Sequence, residues 1–277
     1  MPNELSTDHV LEVPGARLHY EVGGSGPLLA LIGAPMDSSG FVALRRELVD
    51  SYTVVTYDPR GISRSTVADP SADAPPELLA DDVHRLLAEL TDEPVLLLGS
   101  SGGAITGLAL ATRYPEQVRT LLAHEPPLIE LLPDRERLRV ATDDIYATFQ
   151  RDGQDAAMAK FLAMTGLYTP APGSDDAPPP TAPDFEPTPR MRANTERFLA
   201  HMILPTTRYQ PDLAALRATS TRIVVGGGAA STGQLARRTA DALAAALGCQ
   251  PVEFPGDHGG FGSHPEPFAR VLREVFA

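Results

Sequence analysis

The sequence predicts an α/β domain: a mostly parallel, eight-stranded sheet with helices on both faces and a helical insertion after the sixth strand. Three observations predict it. Short, wholly apolar runs alternate with helical stretches from Pro27 to His124, as strands buried on both faces require. The alternation lapses from Pro126 to Thr207, where helical stretches occur without a strong strand. It then resumes to the C-terminal end, so the lapse interrupts one sheet and does not join two. The division expected is a core of residues 1–125 and 208–277 with an insertion of residues 126–207.

Each element has a local reason. Val10–Val13 and Arg17–Val22 are β-rich runs on either side of Pro14-Gly15, a pair suited to a tight turn, and predict a hairpin. Pro27–Ile32 is a continuous apolar run, Tyr52–Tyr57 and Val95–Leu98 read as further buried strands, and Val118–His124 is the next strand. Phe41–Val49 has helical spacing, and Glu77–Leu90 repeats leucine and valine at intervals of three and four, the pattern of an amphipathic helix. Gly103–Arg113 is a helix halted near Pro115. In the insertion, Arg135–Arg151, Ala156–Met164 and Arg190–Met202 read as helices. Eight of the 27 prolines fall within 170–189, which predicts an irregular loop there. Arg222–Val225 and Pro251–Phe254 are the last strands, each followed by a helix, Gln234–Leu247 and Pro265–Phe276.

Composition excludes several function classes. A net charge of −13 opposes nucleic acid and anionic membrane surfaces through long-range repulsion. Cys249 is the single cysteine, which rules out an internal disulfide framework and a multi-cysteine zinc site. No apolar run is long enough to span a bilayer, and the first residues lack the charged and apolar regions of a signal peptide, so a cytoplasmic protein is expected. The acidic surface is compatible with a homo-oligomer.

The chemistry centres on Gly99-Ser100-Ser101-Gly102-Gly103, which follows an apolar strand and opens a helix. In a Gly-x-Ser-x-Gly turn the serine is exposed on a strained bend, and its neighbours two places away must be small for strand and helix to approach. Gly99 and Gly103 meet that demand around Ser101; centring on Ser100 would place bulky Leu98 at one flank. A second polar loop, Phe254-Pro-Gly-Asp-His258-Gly-Gly, follows the last strand and supplies a candidate base.

These segments resemble the α/β-hydrolase family over nearly the whole chain. Tyr57–Ser65 is similar to the family's Asp-x-Arg-Gly-x-Gly-x-Ser segment, Gly99–Gly103 to its nucleophile elbow, and Arg113–Val118 to the usual end of the following helix. His124-Glu-Pro-Pro-Leu128 is typical of one bacterial subgroup of these serine hydrolases. The resemblance implies Ser101 as nucleophile and His258 as base, with a backbone oxyanion hole from Gly102 and Ala34. Ala34 lies in Leu31-Ile-Gly-Ala-Pro35, where Ile32 replaces the family's histidine. The family's usual acid position, the loop Val225–Gly233, holds no carboxylate. Its alternative position, the end of the sixth strand, holds Glu125. Asp257 is a second candidate, set back by its adjacency to His258, and a Ser–His dyad is a third option.

The insertion falls where the family has its cap. Leu128, Ile129, Leu131, Tyr146, Phe149, Phe161, Met164, Phe198 and Met202 are its apolar candidates for lining or packing, and His201, Arg208 and Tyr209 stand where it rejoins the core. The resemblance implies hydrolysis of an ester or lactone of a small apolar substrate, with no metal or organic cofactor. The same triad would serve a cofactor-free perhydrolase or a C–C bond hydrolase, and a non-catalytic ligand-binding relative is a further alternative.

Overall fold

The computed structural model describes residues 6–167 and 187–277. The predicted proline-rich loop therefore lies outside the described residues, apart from its last few positions. The chain runs β1 (Thr7–Val13), β2 (Ala16–Gly24), β3 (Leu28–Ala34), α1 (Val42–Leu48), β4 (Thr53–Tyr57), β5 (Thr66–Val67), α2 (Pro76–Leu90), β6 (Val95–Ser101), α3 (Gly102–Arg113) and β7 (Val118–His124). Helices α4 (Arg135–Asp152), α5 (Gln154–Thr165), α6 (Pro189–His201), α7 (Ile203–Thr207) and α8 (Leu213–Ala218) follow. The sheet then resumes with β8 (Arg222–Gly228), α9 (Leu235–Leu247), β9 (Val252–Phe254), α10 (Gly260–Ser263) and α11 (Pro265–Phe276).

Eight strands lie in the order β1-β2-β4-β3-β6-β7-β8-β9, and β5 adds a two-residue antiparallel pairing to β2. From β4 to β9 every pairing is parallel, whereas β1 and β2 form an antiparallel hairpin that pairs antiparallel with β4. The predicted mostly parallel sheet is therefore observed.

The apolar strands are explained by two cores. Val95 and Leu97 of β6 face one side with Val83 and Leu87 of α2 and Ile105 of α3. Leu96 and Leu98 face the other with Leu44 of α1 and Leu272 of α11. Alternate residues thus enter opposite layers, and an unpaired polar side chain at any of these four positions would be buried at a cost. The chain moves from β3 outward to β4 and then returns to β6 beside β3. That reversal opens a crevice at the C-terminal strand ends, the general place for a ligand in an open α/β sheet.

The helices between β7 and β8 pack on the core through Ile145, Phe198, Leu199 and Ile203, which join Ile62 and Leu79. Polar contacts pin α6 as well. Arg197 donates to the carbonyls of Pro70 and Ala72, at 2.8 Å each, and Asn194 exchanges hydrogen bonds with the Ser63 amide and hydroxyl. Among the described residues no helix is long and apolar enough to cross a membrane.

The Asp-Pro-Arg segment after β4 is a structural clasp. Asp58 accepts from the Ser38 and Arg64 amides and from Arg64 Nε. Buried Arg60 donates to both oxygens of Asp82, which is fully enclosed in α2. Removing one member of such a pair strands the other charge without solvent. Asp82→Ala is expected to lower the urea-unfolding free energy at pH 7 by about 3–5 kcal/mol; a loss below about 1 kcal/mol would contradict the clasp.

Candidate active site

Ser101 closes β6 with φ 57° and ψ −125°, a left-handed bend rarely taken by a residue with a side chain. The flanking glycines make the bend feasible. A Cβ on Gly103 would stand 2.3 Å from the Ile32 carbonyl oxygen, and one on Gly99 would stand 2.6 Å from the Gly103 oxygen. Ser101 is partly exposed, while Ser100 is 2% exposed. The α3 helix begins at Gly102, and a Cβ there would lie 2.6 Å from the Ala34 oxygen, so the two segments expected to supply oxyanion donors are in close contact.

Glu125 follows β7 with φ 48° and is 0% exposed. Its Oε2 lies 2.7 Å from His258 Nδ1, and its Oε1 accepts the Gly228 amide at 2.8 Å. Burial alone would raise this carboxyl. The His258 hydrogen bond, the neighbouring histidines and the Gly228 amide outweigh burial, and the net displacement is below the usual carboxylate range. Of those histidines, His124 is itself held neutral near pH 7, so the direct partners His258 and Gly228 carry the effect. An ionised carboxylate can only accept, so His258 Nδ1 carries a proton and Nε2 is left as the acceptor. Asp257 instead caps its own turn, its Oδ1 accepting the Gly259 amide at 2.9 Å.

The run expected as a carboxylate-free loop needs a correction. Gly226, Gly227 and Gly228 belong to β8, paired with Val252, Glu253 and Phe254 of β9. At Gly228 the histidine-bearing loop presses against the strand: a Cβ there would stand 2.8 Å from the Asp257 backbone, whereas one on Gly226 would crowd Leu122 and Phe254 and one on Gly227 the Arg237 side chain. The segment gives Glu125 a backbone donor in place of a carboxylate of its own.

Ser101 and His258 line one cavity of about 680 Å³ at the strand ends. Its walls are largely apolar, with Met36, Met158, Phe161, Met191, Phe198 and Phe261, and Ala34 lies on it as well. Of the apolar insertion residues named from sequence, Phe161 and Phe198 reach the cavity; Leu128, Ile129 and Met202 are buried in packing. His201, Arg208 and Tyr209 do not line it. His201 pairs with Asp73, Arg208 with Asp143, and Tyr209 packs against the core. Met36, Met158 and Asn194 line the cavity without having been singled out in the sequence. Among the described residues, Asp8, His19 and Glu21 form a group with metal-like spacing, but Arg64 and Arg45 already occupy its carboxylates.

The sheet order, the serine elbow at the switch point and the histidine on the same cavity together define an α/β-hydrolase. A family model described as alpha/beta hydrolase fold matches residues 26–169, and the chain belongs to that family. The "Uncharacterized hydrolase YraK" of Bacillus subtilis (strain 168) is 36% identical over 271 residues, covering 96% of this chain and 94% of the relative. A thermophilic esterase from Thermogutta terrifontis, in a malate-bound structure, superposes with a TM-score of 0.73 at 21% identity over 98% of this chain and 97% of that one. The enol-lactonase from Burkholderia xenovorans LB400 gives 0.71 at 19% identity over 97% and 99%. These two likenesses are of fold.

The elbow makes a direct prediction. Gly103→Ala sets a methyl group against backbone that cannot swing aside, and is expected to cost about 2–3 kcal/mol in urea unfolding. A change under about 0.5 kcal/mol would contradict the close approach.

Proposed function

We propose that the protein is a serine hydrolase that cleaves a carboxylic ester or lactone of a small, mainly apolar substrate through an acyl-enzyme on Ser101. The observation that carries this reading is the 2.7 Å hydrogen bond between His258 Nδ1 and the buried Glu125 carboxylate, with His258 and Ser101 on one cavity. In the proposed cycle Ser101 Oγ attacks the carbonyl carbon as His258 Nε2 takes the hydroxyl proton. The oxyanion is held by the Ala34 and Gly102 amides, and His258 returns the proton to the departing alkoxide. Water then adds to the acyl carbon by the same route, and the acid leaves. Glu125 fixes the imidazole tautomer and offsets the positive charge that forms on His258. Residues 126–207 act as the cap, with Phe161 and Phe198 as apolar roof. The volume and lining of the cavity suit a short acyl or ring substrate.

The test compares Glu125→Gln with Asp257→Asn on p-nitrophenyl acetate and butyrate. Glu125→Gln is expected to lower kcat more than tenfold, within the loss of up to about 10⁴ that follows removal of a triad acid. Asp257→Asn is expected to stay within about twofold, since that carboxylate serves its own turn. An unchanged kcat in Glu125→Gln would remove Glu125 from the mechanism.

A further inference from the structure

His124 is the last residue of β7, next to Glu125, and no step of the proposed cycle uses it. It is 0% exposed, and neither ring nitrogen has a hydrogen-bond partner among the described residues. Phe254, Phe261 and Phe268 surround it edge-on, with ring centroids 5.8, 6.4 and 5.4 Å away. The fourth ring neighbour is His258, 6.3 Å away and inclined by 30°. The charged and titratable groups that act on it are Glu125, His258 and Asp257. A phenyl ring would suit such a cage better, because two bare nitrogens away from water are costly.

We propose that His124 is a positioning residue for His258: a buried imidazole, stacked 6.3 Å from the His258 ring, whose dipole favours the imidazolium formed when Ser101 gives up its proton. The inference rests on the Ser101–His258–Glu125 reading above. A neutral imidazole has a positive N–H side and a negative bare-nitrogen side. No hydrogen bond fixes the His124 tautomer, so the neighbouring charges do: the N–H side is favoured toward Glu125 and the bare nitrogen toward His258. That orientation opposes the dipole of the ion pair, and such an interaction is strong in a buried, low-dielectric setting. Burial holds the ring neutral by pushing its pKa down to about 4. A charged His124 would repel the imidazolium instead. His124 does not line the cavity, so its influence on substrate passes through His258.

His124→Phe separates dipole from packing, since the phenyl keeps the edge contacts and removes the polarity. The expected result is a fall in kcat of about fivefold with KM unchanged. The acid limb of kcat/KM moves down by about 0.7 pH unit, the same factor read as lost proton affinity of His258. Folding supplies a check on the cage. In the native chain the unfolded state takes up a proton below about pH 6.5 that the buried ring refuses until about 4, so stability falls across that window as pH drops. His124→Phe is expected to lose that part of the slope and to keep or raise the thermal midpoint. A kcat and pH profile equal to the native protein's would overturn the proposal. Should the variant not fold, His124→Leu, which also removes the ring's polarity, is read in the same way: a lower kcat with the displaced acid limb supports the proposal, and a native profile overturns it. His258→Ala keeps the two readings apart. If that variant is inactive while His124→Phe behaves as native, only the role of His124 falls; if it is fully active, the triad reading falls.

Discussion

A single hydrogen bond, from His258 Nδ1 to the carboxylate of Glu125, sets the demands that the surrounding structure meets. The two residues are 133 positions apart in sequence and reach each other because β7, β8 and β9 are consecutive neighbours in the sheet. Glu125 must turn off the end of β7 with a positive φ to aim its carboxylate, a conformation that costs of order 1–3 kcal/mol. The His258 loop must then lie directly against the end of β8, which is possible because Gly228 has no side chain. Strain and glycine content at these places are consequences of the one contact.

Electrostatics and packing pull in opposite directions at this site. Enclosing a carboxylate is unfavourable, and Glu125 has no solvent exposure. The histidine and the Gly228 amide each take one oxygen, so neither oxygen is left without a donor, and ionisation survives burial. Because the folded carboxyl titrates below its unfolded value, the couple contributes stability that is complete above the unfolded carboxylate range. That contribution is lost as pH falls through the folded value. A second hydroxyl residue with positive φ among the described residues, Ser63, sits where Asn194 of α6 binds the core, so the contact between insertion and sheet also carries a bent backbone.

How much was legible follows from the physics of each element. The parallel strands were readable because both faces are buried, which turns them into unbroken apolar runs. The elbow was readable because its glycines are sterically enforced on either side of Ser101. Glu125 could be placed only by family resemblance, since a carboxylate after a strand has no periodic or spacing signature. β5 was missed because two residues carry no periodicity, and Gly226–Gly228 read as loop because their pairing with β9 is a tertiary property. The cavity wall was the least legible part. Which face of α6 meets the site depends on how that helix docks, so Phe198 was named while Asn194, four residues earlier and on the same face, was not.

The central claim is that the buried Glu125–His258 couple makes Ser101 a nucleophile. Phosphonylation followed by peptide mass spectrometry tests it most directly, because the adduct forms on an activated serine and needs no knowledge of the substrate. The account predicts one adduct, on Ser101 and not on Ser100, formed rapidly in the native protein and at least about tenfold more slowly when His258 is replaced by alanine. A folded protein that takes up no phosphonate, or takes it up at another residue, would contradict it.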